Sequence, residues 1–140
     1  MMKYKILSIV ANWRGANDGS FAQAFKDLGN DVKIIDIKQY FNNSLFINKV
    51  INKITHEPPI WLQNKFNQDI INVVDNFKPD MVFVAKGLWL KLETLNYINA
   101  RKIKTVHWHP DDAFNPDNSS KYLDECSTRY DLIVTPKTFN

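Results

Sequence analysis

With 140 residues, 44% of them hydrophobic and 24% charged, the chain has the length and composition of one globular domain, which excludes a disordered or low-complexity protein. The formal charge of +3 is a mild basic bias, and no run of Lys or Arg exceeds two, so a nucleic-acid surface has no charge block to rest on. The single cysteine excludes an internal disulfide and fits a reducing compartment, and no stretch nears the ~20 apolar residues of a membrane-spanning helix.

Residues 4–11 (YKILSIVA) form an almost continuous apolar run, the pattern of a strand buried on both faces. The run is too short for a signal peptide and no small-residue cleavage site follows it, which points to a cytoplasmic protein. A turn-rich loop over 12–20 (NWRGANDGS) comes next, with Asp18 available to cap a helix. Phe21, Ala24, Phe25 and Leu28 then recur at helical spacing, with Gly29 placed as a C-terminal cap. Residues 31–37 (DVKIIDI) give a second strand, so the chain opens with the βαβ unit of a parallel sheet.

From 38 to 79 the pattern is helical. One stripe carries Ile47, Val50, Ile51 and Ile54. Pro58-Pro59 breaks it, and a longer stripe carries Leu62, Phe66, Ile70, Val73, Val74 and Phe77. Both stripes read as core contact with the sheet. A third strand over 80–85 (DMVFVA) runs into Lys86-Gly87, and a short helix with Leu92, Leu95 and Ile98 ends near Arg101. Residues 103–108 give a fourth strand. Asn118 or Ser119 can cap a helix holding Tyr122, Leu123 and Cys126, where the cysteine reads as core packing, and residues 131–135 (DLIVT) give a fifth strand. The order of elements predicts an α/β fold: a Rossmann-like three-layer sandwich with a mostly parallel sheet of about five strands, one domain over residues 1–140.

Parallel strands end at a common edge, where ligands of open α/β sheets bind. The predicted order brings together there Asn12, Trp13, Arg14, Asp18 and Ser20, then Lys86 and Gly87, then His107, His109, Asp111 and Asp112, and finally Lys137. The stretch 103–118 (IKTVHWHPDDAFNPDN) is the focus, because an apolar strand empties into a proline-broken loop carrying two histidines and adjacent carboxylates. Such a cleft suits a polar ring such as a sugar, with Trp13 or Trp108 stacked on its apolar face.

Simpler readings stand beside these. Gly15 and Gly19 do not form the GxGxxG dinucleotide fingerprint, and Lys86-Gly87 can be a plain turn. His107, inside the strand, reads as a core histidine with a satisfied hydrogen bond. Asp111 or Asp112 can anchor the turn through its own backbone. The HxHxDD run also echoes metallo-hydrolases, with His107, His109 and Asp111 as ligands. The remaining histidine, His56, lies upstream, so a closed zinc set is not assembled and no metal is expected.

Three stretches, FVAKGLWLKLETLNYI, TVHWHPDDAFNPDNSSKYL and YDLIVTPKTFN, resemble the N-terminal domain of CgeB-like (spore-maturation type) glycosyltransferases. The resemblance implies the N-terminal half of a GT-B fold, the acceptor-side domain of an enzyme moving a sugar from a nucleotide-sugar donor to a glycan, protein or small acceptor. On the family's loop motifs fall Lys86, Gly87, Asp111, Asp112, Asn115, Asn118 and Ser119, with Arg14 and Gly15 matching a first loop more loosely. The expected base is Asp112 before Asp111, with His109 as the alternative, and Asn12, Trp13, Arg14, Lys86 and His107 are expected among the binding residues, although His107 and His109 stand where the family often has other residues. The donor-binding domain is expected from a further domain or a second chain, with no cofactor held by this half and no nucleic-acid partner. The alternative is a non-catalytic sugar- or nucleotide-binding Rossmann-like module whose cleft forms on dimerisation.

Overall fold

The computed structural model of the chain describes residues 2–11, 18–41, 50, 57–110 and 120–136. Its framework is a five-stranded sheet of order β2-β1-β3-β4-β5. The strands are β1 (Lys5–Val10), β2 (Asp31–Asp36), β3 (Met81–Ala85), β4 (Lys104–Trp108) and β5 (Leu132–Val134). Every neighbouring pair is parallel, with Ile9 beside Ile35 on one side and Val84 on the other, and His107 beside both Val84 and Ile133. The expected α/β, Rossmann-like layer sandwich is therefore the observed one.

The described helices are α1 (Asp18–Asp27), α2 (Ile37–Phe41), α3 (Ile60–Phe77), α4 (Leu92–Ala100) and α5 (Lys121–Cys126). Alternation along the strands sends Leu7, Ile9, Val82 and Val84 to one face, where they meet Phe66, Ile70 and Val74 of α3, Leu95 and Ile98 of α4, and Cys126 of α5. The other face carries Ile6, Val10, Phe83 and Ala85, covered by Phe21 and Phe25 of α1. Phe21 and Phe25 contact the Phe83 ring at 5.1 and 5.4 Å between centroids. α1 closes as its glycine predicts: Gly29 takes φ +91°, and its N–H donates to the Lys26 carbonyl at 2.9 Å.

Three expectations shift. Ile37 does not extend β2 but opens α2, and its side chain packs against the main core. Ser120, rather than Asn118 or Ser119, caps α5, its Oγ accepting the Leu123 N–H at 3.2 Å. Of the 47–54 stripe only Val50 is described, and it is 39% exposed; Ile47, Ile51 and Ile54 lie outside the described residues. The α3 stripe holds, with Leu62, Phe66, Ile70, Val74 and Phe77 buried. No helix among the described residues is long and apolar enough to cross a membrane.

Candidate functional site

In this strand order the chain turns one way from β1 to β2 and the other way from β1 to β3, so the connections leave their carboxyl ends in opposite directions. The crevice between the ends of β1 and β3 is where such sheets bind ligands. A cleft of about 80 Å³ lies there, lined by Ala11, Ile37, Phe66 and residues 85–89. Its walls are apolar except for the Lys86-Gly87 turn.

That turn is unusual in its backbone. Lys86 and Gly87 both have positive φ, at 67° and 71°. The Gly87 N–H donates to the Ala85 carbonyl at 2.8 Å, which makes Lys86 the centre of a three-residue γ-turn that an L side chain adopts only under strain. Both peptide groups of Lys86 are held from β4. Its N–H donates to the Trp108 carbonyl at 2.8 Å, and its own carbonyl sits 2.7 Å from His107 Nε2. Gly87 is obligatory on two counts: its φ, and a space so tight that a Cβ would meet Val84 Cγ1 at 3.1 Å and Tyr130 Oη at 3.2 Å.

Beneath the turn lies a buried polar layer. His107 is 3% exposed and stacks on the Tyr130 ring at 4.7 Å and 19°. His109, 5% exposed, follows on the same side of β4 with ring centroids 5.5 Å apart, and its backbone N–H donates to the Val134 carbonyl at 3.0 Å. Burial pushes the His107 imidazole down to about 4, against the bond to the Lys86 carbonyl, which raises it; His109 adds a smaller lowering. Burial likewise pushes the Tyr130 phenol up, and its hydroxyl has no hydrogen-bond partner among the described residues. Cys126 is core as expected: fully buried, its thiol directed to the Leu90 carbonyl at 3.5 Å and pushed up to about 11 by burial.

Two residues that the sequence did not mark out fasten this region. Asn67 of α3 donates from Nδ2 to the Trp89 carbonyl at 2.9 Å and to the Gln63 carbonyl at 2.8 Å. Its Oδ1 accepts the Lys91 N–H at 2.9 Å and the Thr94 hydroxyl at 2.8 Å, so one buried amide pins the whole segment after Gly87. Ser120, besides capping α5, donates from its hydroxyl to the Leu88 carbonyl. No local signal reveals Asn67, since it sits inside an apolar stripe with an ordinary helical spacing.

Of the residues expected at the site, Lys86, Gly87, His107 and His109 are gathered at the carboxyl edge of β3 and β4. Asn12, Trp13, Arg14, Gly15, Asp111, Asp112, Asn115, Asn118, Ser119 and Lys137 lie outside the described residues. Trp108 does not face the cleft as a stacking platform. It points to the α1 side of the sheet and packs on Phe21 at 5.2 Å, because alternation along β4 puts it opposite His107. Among the described residues no three His, Cys, Asp or Glu side chains converge as a metal site would need.

No family model and no curated protein matches this sequence. Among solved structures it is similar to S. aureus MnaA determined with UDP, at 16% identity and a TM-score of 0.63 over 96% of this chain. The chain spans 38% of that protein. At such an identity the likeness is one of fold, and it agrees with the sheet described above: the chain is a Rossmann-like α/β protein.

Proposed function

We infer that the chain is the acceptor-side half of a GT-B type glycosyltransferase acting with a nucleotide-sugar donor, as its CgeB-like motifs suggest. The observation that carries this reading is the crevice between β1 and β3 with the strained Lys86-Gly87 turn on its wall. The 111–119 segment with its acid pair is flanked by Pro110 and Ser120. Pro110 follows the end of β4, and Ser120 is bonded to Leu88 of the β3 exit. Fold likeness to a protein solved with UDP supports a nucleotide-sugar partner.

In this mechanism the acceptor hydroxyl oxygen bonds to the anomeric carbon as the bond to the nucleotide diphosphate breaks. Asp112, before Asp111, takes the hydroxyl proton, and His109 is the alternative base. Lys86 or Arg14 offsets the negative charge on the departing phosphates when a donor-binding domain closes over the edge. Asp112→Asn, assayed with the donor-binding half present, is expected to cut turnover at least ~100-fold with folding intact. Unchanged turnover would remove Asp112 from the chemistry.

The second reading is a non-catalytic nucleotide-sugar-binding module. The same likeness to a UDP-bound protein favours it, since binding UDP does not by itself require transfer. Glycosyl transfer in the presence of a donor-binding partner separates the two.

A further inference from the structure

We propose that His107 is a positioning residue that holds Lys86 in its left-handed turn and so directs it toward the β1/β3 crevice. The proposal deepens the reading above, in which Lys86 meets an anionic ligand group. A lysine at φ 67° is costly and persists where its surroundings hold it, and here both of its peptide groups are gripped. The gripping groups are the Trp108 carbonyl, at 2.8 Å from the Lys86 nitrogen, and His107 Nε2, at 2.7 Å from the Lys86 oxygen. The first is a bond of the sheet ladder, open to any sequence. The second needs a side chain whose donor reaches across from β4, and it is the one that selects histidine.

The surroundings fit a positioning role better than a core-filling one. An apolar ring at residue 107 would fill the place beside Tyr130, whose ring lies 4.7 Å from the imidazole, without burying a polar nitrogen. What it would lack is the donor for the Lys86 carbonyl. The glycine that follows leaves room for the turn itself, since a Cβ there would lie 3.1 Å from Val84 Cγ1 and 3.2 Å from Tyr130 Oη.

The test uses the whole chain and three variants, His107→Phe, His107→Gln and the double variant His107→Phe with Lys86→Gly. In the wild type, Lys86 should show the strong intraresidue amide-to-α-proton NMR cross-peak of a positive φ. His107→Phe keeps the ring against Tyr130 and removes the donor, so this signature should fade while the rest of the spectrum stays dispersed. His107→Gln, which restores an N–H donor, should recover it. The amide shifts of Lys86 and Gly87 on titration with UDP should shrink several-fold in His107→Phe and return in His107→Gln. Retention of both the cross-peak and the UDP response in His107→Phe overturns the proposal. If the wild type shows the cross-peak and its loss in His107→Phe but no response to UDP even at concentrations well above about 1 mM, the contact of Lys86 with the nucleotide fails and the positioning role stands. If His107→Phe does not fold, the double variant with Lys86→Gly decides. Glycine needs no help at positive φ, so that variant folds if His107 serves Lys86 and stays unfolded if the imidazole serves the core.

Discussion

At the scale of single residues, the turn after β3 concentrates the constraints. Gly87→Ala places a methyl group 3.1 Å from Val84 and 3.2 Å from the Tyr130 hydroxyl at a φ of 71°, and should cost about 2–3 kcal/mol in denaturant unfolding. His107 makes a pH prediction of definite sign. Its folded pKa of about 4 lies below the ordinary 6.5, so between these values the unfolded chain binds more protons than the folded one. Stability therefore rises with pH through this window and is lost as pH falls below about 6.5. About 2 kcal/mol should disappear between pH 7 and pH 5 from this group alone. The slope should be correspondingly shallower in His107→Phe, as read from chemical denaturation at the two pH values. The sequence already pointed to a hydrogen-bonded core histidine at 107, because a strand interior seldom leaves an imidazole unsatisfied. That its acceptor is the Lys86 carbonyl, 21 positions upstream, was not visible, since nothing local encodes a bond between strands.

At the scale of elements, the segment after Gly87 owes its shape to α3. Asn67→Ala would strand the Lys91 N–H, the Thr94 hydroxyl and the Trp89 carbonyl together, and should lower stability by about 2–3 kcal/mol in urea denaturation. Asn67→Asp is informative beside it, because the carboxylate keeps both accepted bonds and loses the two donated ones. Ser120→Ala should cost about 1 kcal/mol through loss of the α5 cap, with the bond to Leu88 lost as well. Both helices were legible as amphipathic stripes. Their polar pins were not, since a periodic pattern marks which face is buried and says nothing of which buried polar group finds partners. The exposed neighbours of Asn67 are also asparagine and glutamine, so composition hides it further. β5 shows the converse. DLIVT is as apolar as the inner strands, yet Leu132, Ile133 and Val134 are 53, 43 and 39% exposed on β5, the outer edge of the sheet.

For the molecule as a whole, the proposed division of labour makes a binding prediction. If this chain supplies the acceptor side, UDP alone should bind it no more tightly than about 1 mM, because most of the donor contacts would come from elsewhere. Isothermal titration measures this directly, and sub-micromolar binding would move the chain to the donor side or to the stand-alone binding module. The parallel sense of the sheet, its five strands and its two-sided covering followed from hydrophobic runs separated by amphipathic helices, because burial on both faces requires that pattern wherever the strands sit. Those features, and the gathering of Lys86, Gly87, His107 and His109 at one edge, were written in the linear order of elements. Three further features belong to the tertiary structure alone: the crevice between β1 and β3, the strain at Lys86 and the turning of Trp108 away from the cleft. Strand order is chosen by the competition among whole elements for a common core, and a side chain's partners exist only once that competition is settled.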